Sequence, residues 1–260
     1  MTKISTRLIP VLWLLAATPA LTAQPSIGIV LVHGKWGAPG NLAHLAHACE
    51  SQEYAVRTPE MPWSGRRLYD APLSAALREI GDAVEELRKQ GAQKVVVGGH
   101  SFGANAALAF GAVHPDIDGI MMLAPGHTPE RANFRTASAS SVERAKEMVA
   151  GGKGEEELYF DDLNQGRTRR LRTTASIYLS YFDPAGDAVM PRNAAAMTRP
   201  VPLLWVIGRM DPLYAAGQGY VFTRVPPHSK SRYVIVQADH PNTPFVATQE
   251  ILAWLKVFDE

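Results

Sequence analysis

The hexapeptide Gly98-Gly99-His100-Ser101-Phe102-Gly103 constrains this chain more than any other stretch. The apolar, β-branched run Lys94-Val95-Val96-Val97 leads into it, and the small-residue run from Ala104 to Phe110 leads out. The segment therefore reads as strand, tight turn, helix, with a serine at the turn. Gly99-x-Ser101-x-Gly103 is the G-x-S-x-G elbow pattern, which lifts a serine hydroxyl to the top of a sheet. Side chains two residues before and after such a serine would collide with neighbouring backbone, and glycine relieves that crowding. The turn also leaves the first N–H groups of the helix free to face negative charge.

The remaining chain alternates strand and helix around this point. Ser26 to Val32 is a short continuous apolar run, as a buried parallel strand requires, and it ends in the loop His33-Gly34-Lys35-Trp36-Gly37. A helical pattern follows from Asn41 to Gln52, then a strand over Tyr54 to Arg57 and a loop rich in proline. Leu73 to Gln90 is amphipathic, with Leu73, Ala76, Leu77, Ile80, Val84 and Leu87 on one face, and Gly91 stops it. After the central strand and helix come strands over Ile117 to Leu123, Val201 to Ile207 and Arg232 to Gln237, and a closing helix over Thr243 to Phe258. This order predicts an α/β fold with a mostly parallel sheet and helices on both faces. From His127 to about Pro200 the chain is more polar and its helical patterns are short, which reads as an inserted helical cap.

With 46% hydrophobic residues in 260, the chain can bury one α/β core. Lys and Arg number 26 against 25 acidic residues, so charge offers no case for nucleic acid as a partner. Residues 1–23 read as a signal peptide: Lys3 and Arg7 precede an apolar run from Leu8 to Ala17 and a small-residue end. Cleavage is expected after Ala23, with Ala20 as the alternative. The run is too short to span a bilayer comfortably, so the mature chain, residues 24–260, is expected to be periplasmic or secreted with no membrane span. Cys49 is the only cysteine and reads as a small core residue. His44 and His47 lack further ligands nearby, and no G-x-G-x-x-G follows the first strand, so neither metal nor cofactor is expected.

Functional residues of an open parallel sheet collect at the carboxyl ends of its strands. The elbow presents Ser101 there, the penultimate strand Asp211, and the last strand His240. A serine needs a base within hydrogen-bond reach, and the base needs a group that fixes its tautomer. Ser101, Asp211 and His240 stand in the order Ser…Asp…His. Asp183 and Asp187 compete as the acid but lie in the cap.

On these residues the chain from about Pro25 to Glu260 resembles the serine α/β-hydrolase fold family, esterases and lipases with a helical cap. The resemblance rests on His33-Gly34-x-x-Gly37, Gly99-His100-Ser101-Phe102-Gly103, Gly208-x-x-Asp211-Pro212 and Asp239-His240. It implies that Ser101 attacks an acyl carbon, that His240 is the base, and that Asp211 orients it. It also implies an oxyanion hole from the backbone N–H groups of Phe102 and Lys35, with Trp36 the second choice to Lys35. His33 is then expected to brace the oxyanion loop. Trp36, Trp63 and His100 are candidate pocket residues, and Arg66 and Arg67 are surface residues that could meet a carboxylate. The implied substrate is a small-molecule ester. An amide or peptide hydrolase of the same fold is the alternative, and a non-catalytic binding protein would not need all three of Ser101, Asp211 and His240.

Overall fold

The computed structural model describes residues 27–114 and 116–259, so the leader expected over 1–23 lies outside them. Its strands are β1 (Ile27–Val32), β2 (Ala55–Arg57), β3 (Lys94–Ser101), β4 (Gly119–Pro125), β5 (Glu157–Asn164), β6 (Arg167–Thr174), β7 (Leu203–Gly208) and β8 (Arg232–Val236). Six of them form one sheet in the order β2-β1-β3-β4-β7-β8, and every neighbouring pair is parallel. Parallel neighbours need crossovers, and these are supplied by helices. The helices are α1 (Ala43–Glu50), α2 (Leu73–Lys89), α3 (Phe102–Val113), α4 (Ala132–Ala150), α5 (Ala175–Phe182), α6 (Met190–Ala196), α7 (Thr243–Val246) and α8 (Thr248–Leu255).

The period of two along each strand assigns side chains to two cores. In β1, Val30 and Val32 face α2 and α3, while Ile27, Ile29 and Leu31 face α1 and α8. The predicted apolar face of α2 is the buried one: Leu73, Ala76, Ile80, Val84 and Leu87 all point inward. Cys49 is wholly buried in the second core, where burial pushes its thiol up to about 12. The closing helix is not continuous. It breaks at Ala247 into α7 and α8, where the Thr248 hydroxyl bonds back to the Phe245 carbonyl (2.8 Å).

Between β4 and β7 lies the insertion. It is helical at both ends, through α4, α5 and α6, but β5 and β6 form an antiparallel hairpin in its middle, paired from Glu157 with Thr174 to Asn164 with Arg167. The turn is Gln165-Gly166, with φ of 49° and 74°, the positive pair that a tight two-residue hairpin needs. Only Phe160, Asp162, Leu171 and Thr173 are buried along it. A charged residue at an inward position and four arginines on β6 obscure the alternation that would have marked these strands. Phe160, Tyr178 and Phe182, all wholly buried, stack with Phe160–Tyr178 and Tyr178–Phe182 centroids at 4.5 and 4.2 Å, and buried Tyr181 packs edge-on against Tyr69 and Phe102, so the cap shares the core over α2 and α3.

The elbow forms where α3 and β3 meet β1. A Cβ on Gly103 would stand 2.6 Å from the Val32 carbonyl carbon and closer still to its oxygen, and a Cβ on Gly99 would meet Gly103 at 2.6 Å. Both glycines are needed for this approach. Gly103→Ala is expected to destabilise the fold by about 3 kcal/mol, as forced overpacking does, and so to lower Tm by about 6–12 °C. Gly40→Ala, whose Cβ meets nothing within 4 Å, should leave Tm unchanged. Thermal denaturation of the two variants checks this, and equal Tm values would refute the packing argument.

Candidate active site

Four strand ends converge at the top of the sheet. Ser101, at the junction of β3 and α3, has φ 57° and ψ −120°, a conformation that costs energy for a residue with a Cβ. Its carbonyl accepts the Gly126 N–H (3.0 Å) from the loop after β4. Positive φ occurs at Ala124 (41°), near the end of β4, and at His127 (62°) in that loop. The Gly126 Cα stays bare because a Cβ there would sit 2.8 Å from Ser101 Oγ.

The three residues predicted to act together are brought together. Ser101 Oγ donates to His240 Nε2 at 2.9 Å, and His240 Nδ1 donates to Asp211 Oδ2 at 2.7 Å. Each of the three residues is at least 94% buried, with exposures of 6%, 5% and 5% for Ser101, His240 and Asp211. The other Asp211 oxygen accepts the Leu213 N–H (2.7 Å), which fixes the carboxylate plane. Because a carboxylate only accepts, the proton lies on Nδ1 and leaves Nε2 free to receive the serine proton. Asp183 and Asp187 are elsewhere, paired with Lys146 and Arg192.

His33 braces the loop after β1, as predicted. It is wholly buried, its Nδ1 donates to the Gly34 carbonyl (2.8 Å), and its Nε2 accepts the Met61 N–H (3.0 Å). The Trp36 N–H is committed to the Trp63 carbonyl (2.9 Å), so Trp36 cannot offer its amide to a ligand. The Lys35 N–H has no protein acceptor among the described residues, and Phe102 is the first residue of α3, where the backbone N–H is free of helix bonding.

The three candidate pocket residues are placed differently from expectation. Trp63 is wholly buried beneath the loop, donating from Nε1 to the His33 carbonyl (2.9 Å) and packing on Phe102. His100 lies behind His240, and its Nε2 donates to the His240 carbonyl (2.9 Å). Trp36 turns away toward the hairpin, with the Arg169 guanidinium over its ring. The cavity beside Ser101, about 640 Å³, is lined instead by Pro125, Phe134, Leu163 and Leu213, with Lys35, His127 and Asn164 among its polar members. Of the cap aromatics, Phe134 reaches it; Phe160, Tyr178, Tyr181 and Phe182 are buried in the core over α2 and α3, and Tyr159 is exposed. Arg66 and Arg67 already hold Glu60, and Asp70 and Glu79, respectively.

Sequence reasoning missed His127, Asn105, Asp162 and the side chain of Lys35. Asn105, wholly buried on α3, donates to the carbonyls of His127 and Ala188 (both 2.8 Å) and so ties the cap to the sheet. Lys35 Nζ pairs with the Asp162 carboxylate and reaches His127 Nδ1 (3.2 Å). Burial holds Lys35 below its ordinary value against the pull of Asp162, and burial and then Lys35 push His127 well down. Nothing local marks these residues: their partners lie 22 to 128 positions away. No group of three or more metal-binding side chains occurs among the described residues.

The alpha/beta hydrolase family profile matches residues 29–254, and the chain belongs to that family. A thermostable monoacylglycerol lipase from Bacillus sp. (strain H-257) is 32% identical over 108 residues, which cover 40% of this chain and 43% of that protein. The match therefore spans less than half the length of that relative. The monoacylglycerol lipase of Paleococcus ferrophilus superposes with a TM-score of 0.63 at 20% identity, covering 89% of this chain and 94% of that one. A thermostable carboxyl esterase from Bacillus coagulans superposes with a TM-score of 0.65 at 13% identity, covering 92% and 90%.

The buried histidines make stability depend on pH. His33 and His127 are held below the ordinary value by burial, and His100 is pushed down to about 4 by burial and by His240. All three are harder to protonate in the fold than in the unfolded chain, which takes up protons below about pH 6.5. Stability should therefore fall from about pH 6.5 toward pH 4, with His100 contributing a slope of about 1.4 kcal/mol per pH unit. Urea unfolding at pH 7.5, 6 and 5 checks this. His100→Gln, which keeps a donor for the His240 carbonyl, should flatten the slope in that window; an unchanged slope would refute the assignment.

Proposed function

We propose that this protein is a serine hydrolase that cleaves small to medium carboxylic esters through an acyl-enzyme. The observation that carries this reading is the buried relay of Ser101, His240 and Asp211, at 2.9 and 2.7 Å, opening on a cavity. In this mechanism Ser101 Oγ attacks the ester carbonyl carbon while His240 Nε2 takes its proton. Asp211 holds the imidazole in the productive tautomer and stabilises its positive charge. The carbonyl oxygen becomes an oxyanion, received by the N–H groups of Phe102 and Lys35. Collapse expels the alcohol, which takes the proton from His240. Water, deprotonated by the same imidazole, then attacks the acyl-enzyme, releases the acid and returns the proton to Ser101.

Ester over amide is favoured by the relatives, which are lipases and esterases. Ser101→Ala should lower turnover by several orders of magnitude with the fold unchanged, because nucleophile and base act as a unit. Asp211→Asn should cost about 10⁴-fold in kcat, and Asp183→Asn almost nothing. Rates on a p-nitrophenyl ester and labelling by a fluorophosphonate probe test this. Labelling that persists in Ser101→Ala would put the nucleophile elsewhere, and no labelling of the intact protein would favour a binding protein.

Substrate size follows from the cavity. Its apolar wall at Phe134, Leu163 and Leu213 rewards each buried methylene with about 0.8 kcal/mol, and the hairpin side limits length. Activity on p-nitrophenyl esters should rise with acyl length, peak at a short or medium chain and then fall. A profile flat to long chains, with activation at an oil–water interface, would instead indicate an open site suited to emulsified lipid.

A further inference from the structure

Three consecutive residues of the cap hairpin grip the turn after β1. The Asp162 carboxylate pairs with Lys35 Nζ through one oxygen and accepts from Trp36 Nε1 (2.6 Å) through the other. The Leu163 carbonyl accepts from Lys35 Nζ (2.8 Å), and Asn164 Nδ2 donates to the Lys35 carbonyl (3.4 Å). Asp162 is wholly buried and the Lys35 side chain is 2% exposed. The remaining Lys35 donor goes to His127 Nδ1, whose Nε2 donates to the Tyr181 carbonyl (2.6 Å), so the grip extends to the loop after β4.

Stability alone gives this arrangement no rationale. Desolvating two charges costs free energy that their attraction does not always recover, and apolar residues of similar volume often serve as well or better. What an ion pair with directed hydrogen bonds supplies is a defined position. The turn it holds needs one: Trp36 sits at φ 58°, and among the described residues the Lys35 amide has no protein acceptor to fix it. Asp162 bonds both side chains of the Lys35-Trp36 pair, and Lys35 lines the cavity beside Ser101.

We infer that Asp162 is a positioning residue that, from the cap hairpin, holds the Lys35-Trp36 turn so that the Lys35 amide meets the developing oxyanion. This rests on the reading of Ser101 as the nucleophile. The cap is then part of the catalytic apparatus, since the oxyanion hole is complete only when the hairpin is seated on the sheet. Asp162 touches no substrate and acts through the backbone of Lys35.

The test uses the intact chain with Asp162→Asn and Trp36→Phe. The readouts are kcat and KM on p-nitrophenyl butyrate, the Ki of an aryl trifluoromethyl ketone, fluorophosphonate labelling, and Tm. A donor displaced by about 1 Å costs about 10²-fold, so Asp162→Asn should lose about that in kcat. KM should stay within about threefold, because the oxyanion contact is made only in the transition state. The ketone, which forms a tetrahedral adduct, should lose affinity in step with kcat. Trp36→Phe removes one bond and keeps the ion pair, so a loss of about tenfold is expected with Tm close to that of the parent. A lowered Tm with kcat and Ki within about twofold of the parent would make Asp162 merely structural and overturn the inference; so would a loss of kcat with an unchanged Ki. If Asp162→Asn does not fold, Trp36→Phe decides by the same criteria. An intact protein that no fluorophosphonate labels would instead bring down the reading of Ser101, a failure distinct from an unimpaired Asp162→Asn in a chain whose Ser101 is labelled.

Discussion

The N-terminal end of α3 lies against the last carbonyl of β1, and most of the site depends on that contact. Because Gly99 and Gly103 carry no side chain, the Val32 carbonyl can occupy the space where their Cβ atoms would stand. The chain then turns from β3 into α3 within one residue, and Ser101 is left at positive φ with its hydroxyl at the top of the sheet. The same approach sets the loop after β1 beside the elbow, where a Cβ on Gly34 would stand 3.0 Å from the Ser101 Cβ. A wider packing of α3 on β1 would part that loop from the elbow and move Ser101 away from His240.

Strain at the elbow is offset by packing around it. Phe102 is wholly buried between Trp63 and His127, with ring centroids at 4.5 and 4.3 Å. Trp63 bonds the loop after β1 from beneath through both its indole and its carbonyl. His100 supports the His240 backbone from behind, and Gly126 holds the Ser101 carbonyl. His240 is therefore held by a neighbour that does not line the cavity, and Ser101 by Gly126, which does. The residues expected in the pocket, Trp63 and His100, are such supports.

The cap adds a second layer of constraint. Its aromatic cluster joins the core over α2 and α3, with Tyr181 packed on Phe102 and Trp63, and polar groups add direction: Asn105 to the carbonyls of His127 and Ala188, Thr173 to the Tyr69 carbonyl, and Lys35 to Asp162. Directional bonds of this kind specify how the cap sits, where apolar contact alone would allow sliding. One wall of the cavity, at Leu163, comes from the same strand that carries Asp162, so the pocket's width and the position of the Lys35 turn are set together.

The order of parallel strands, the elbow at Ser101, and Asp211 and His240 at strand ends were all legible in the sequence, because each follows from local signals: β-branched runs, glycines that tight turns demand, and the break from strand into loop. The bracing role of His33 was legible from its place before the loop glycines. The hairpin over β5 and β6 was not, since an inward-facing Asp162 and arginines on both faces of β6 disguise a period of two. Nor could the sequence set which side chains face the cavity. Trp36, Trp63 and His100 are neighbours of the site along the chain, but the direction of each is decided by partners far away in it. Lys35, His127 and Asp162 owe their meeting to the docking of the cap on the sheet. A buried charge is tolerated only where a complementary charge arrives in three dimensions, and no pattern along one segment can announce that arrival.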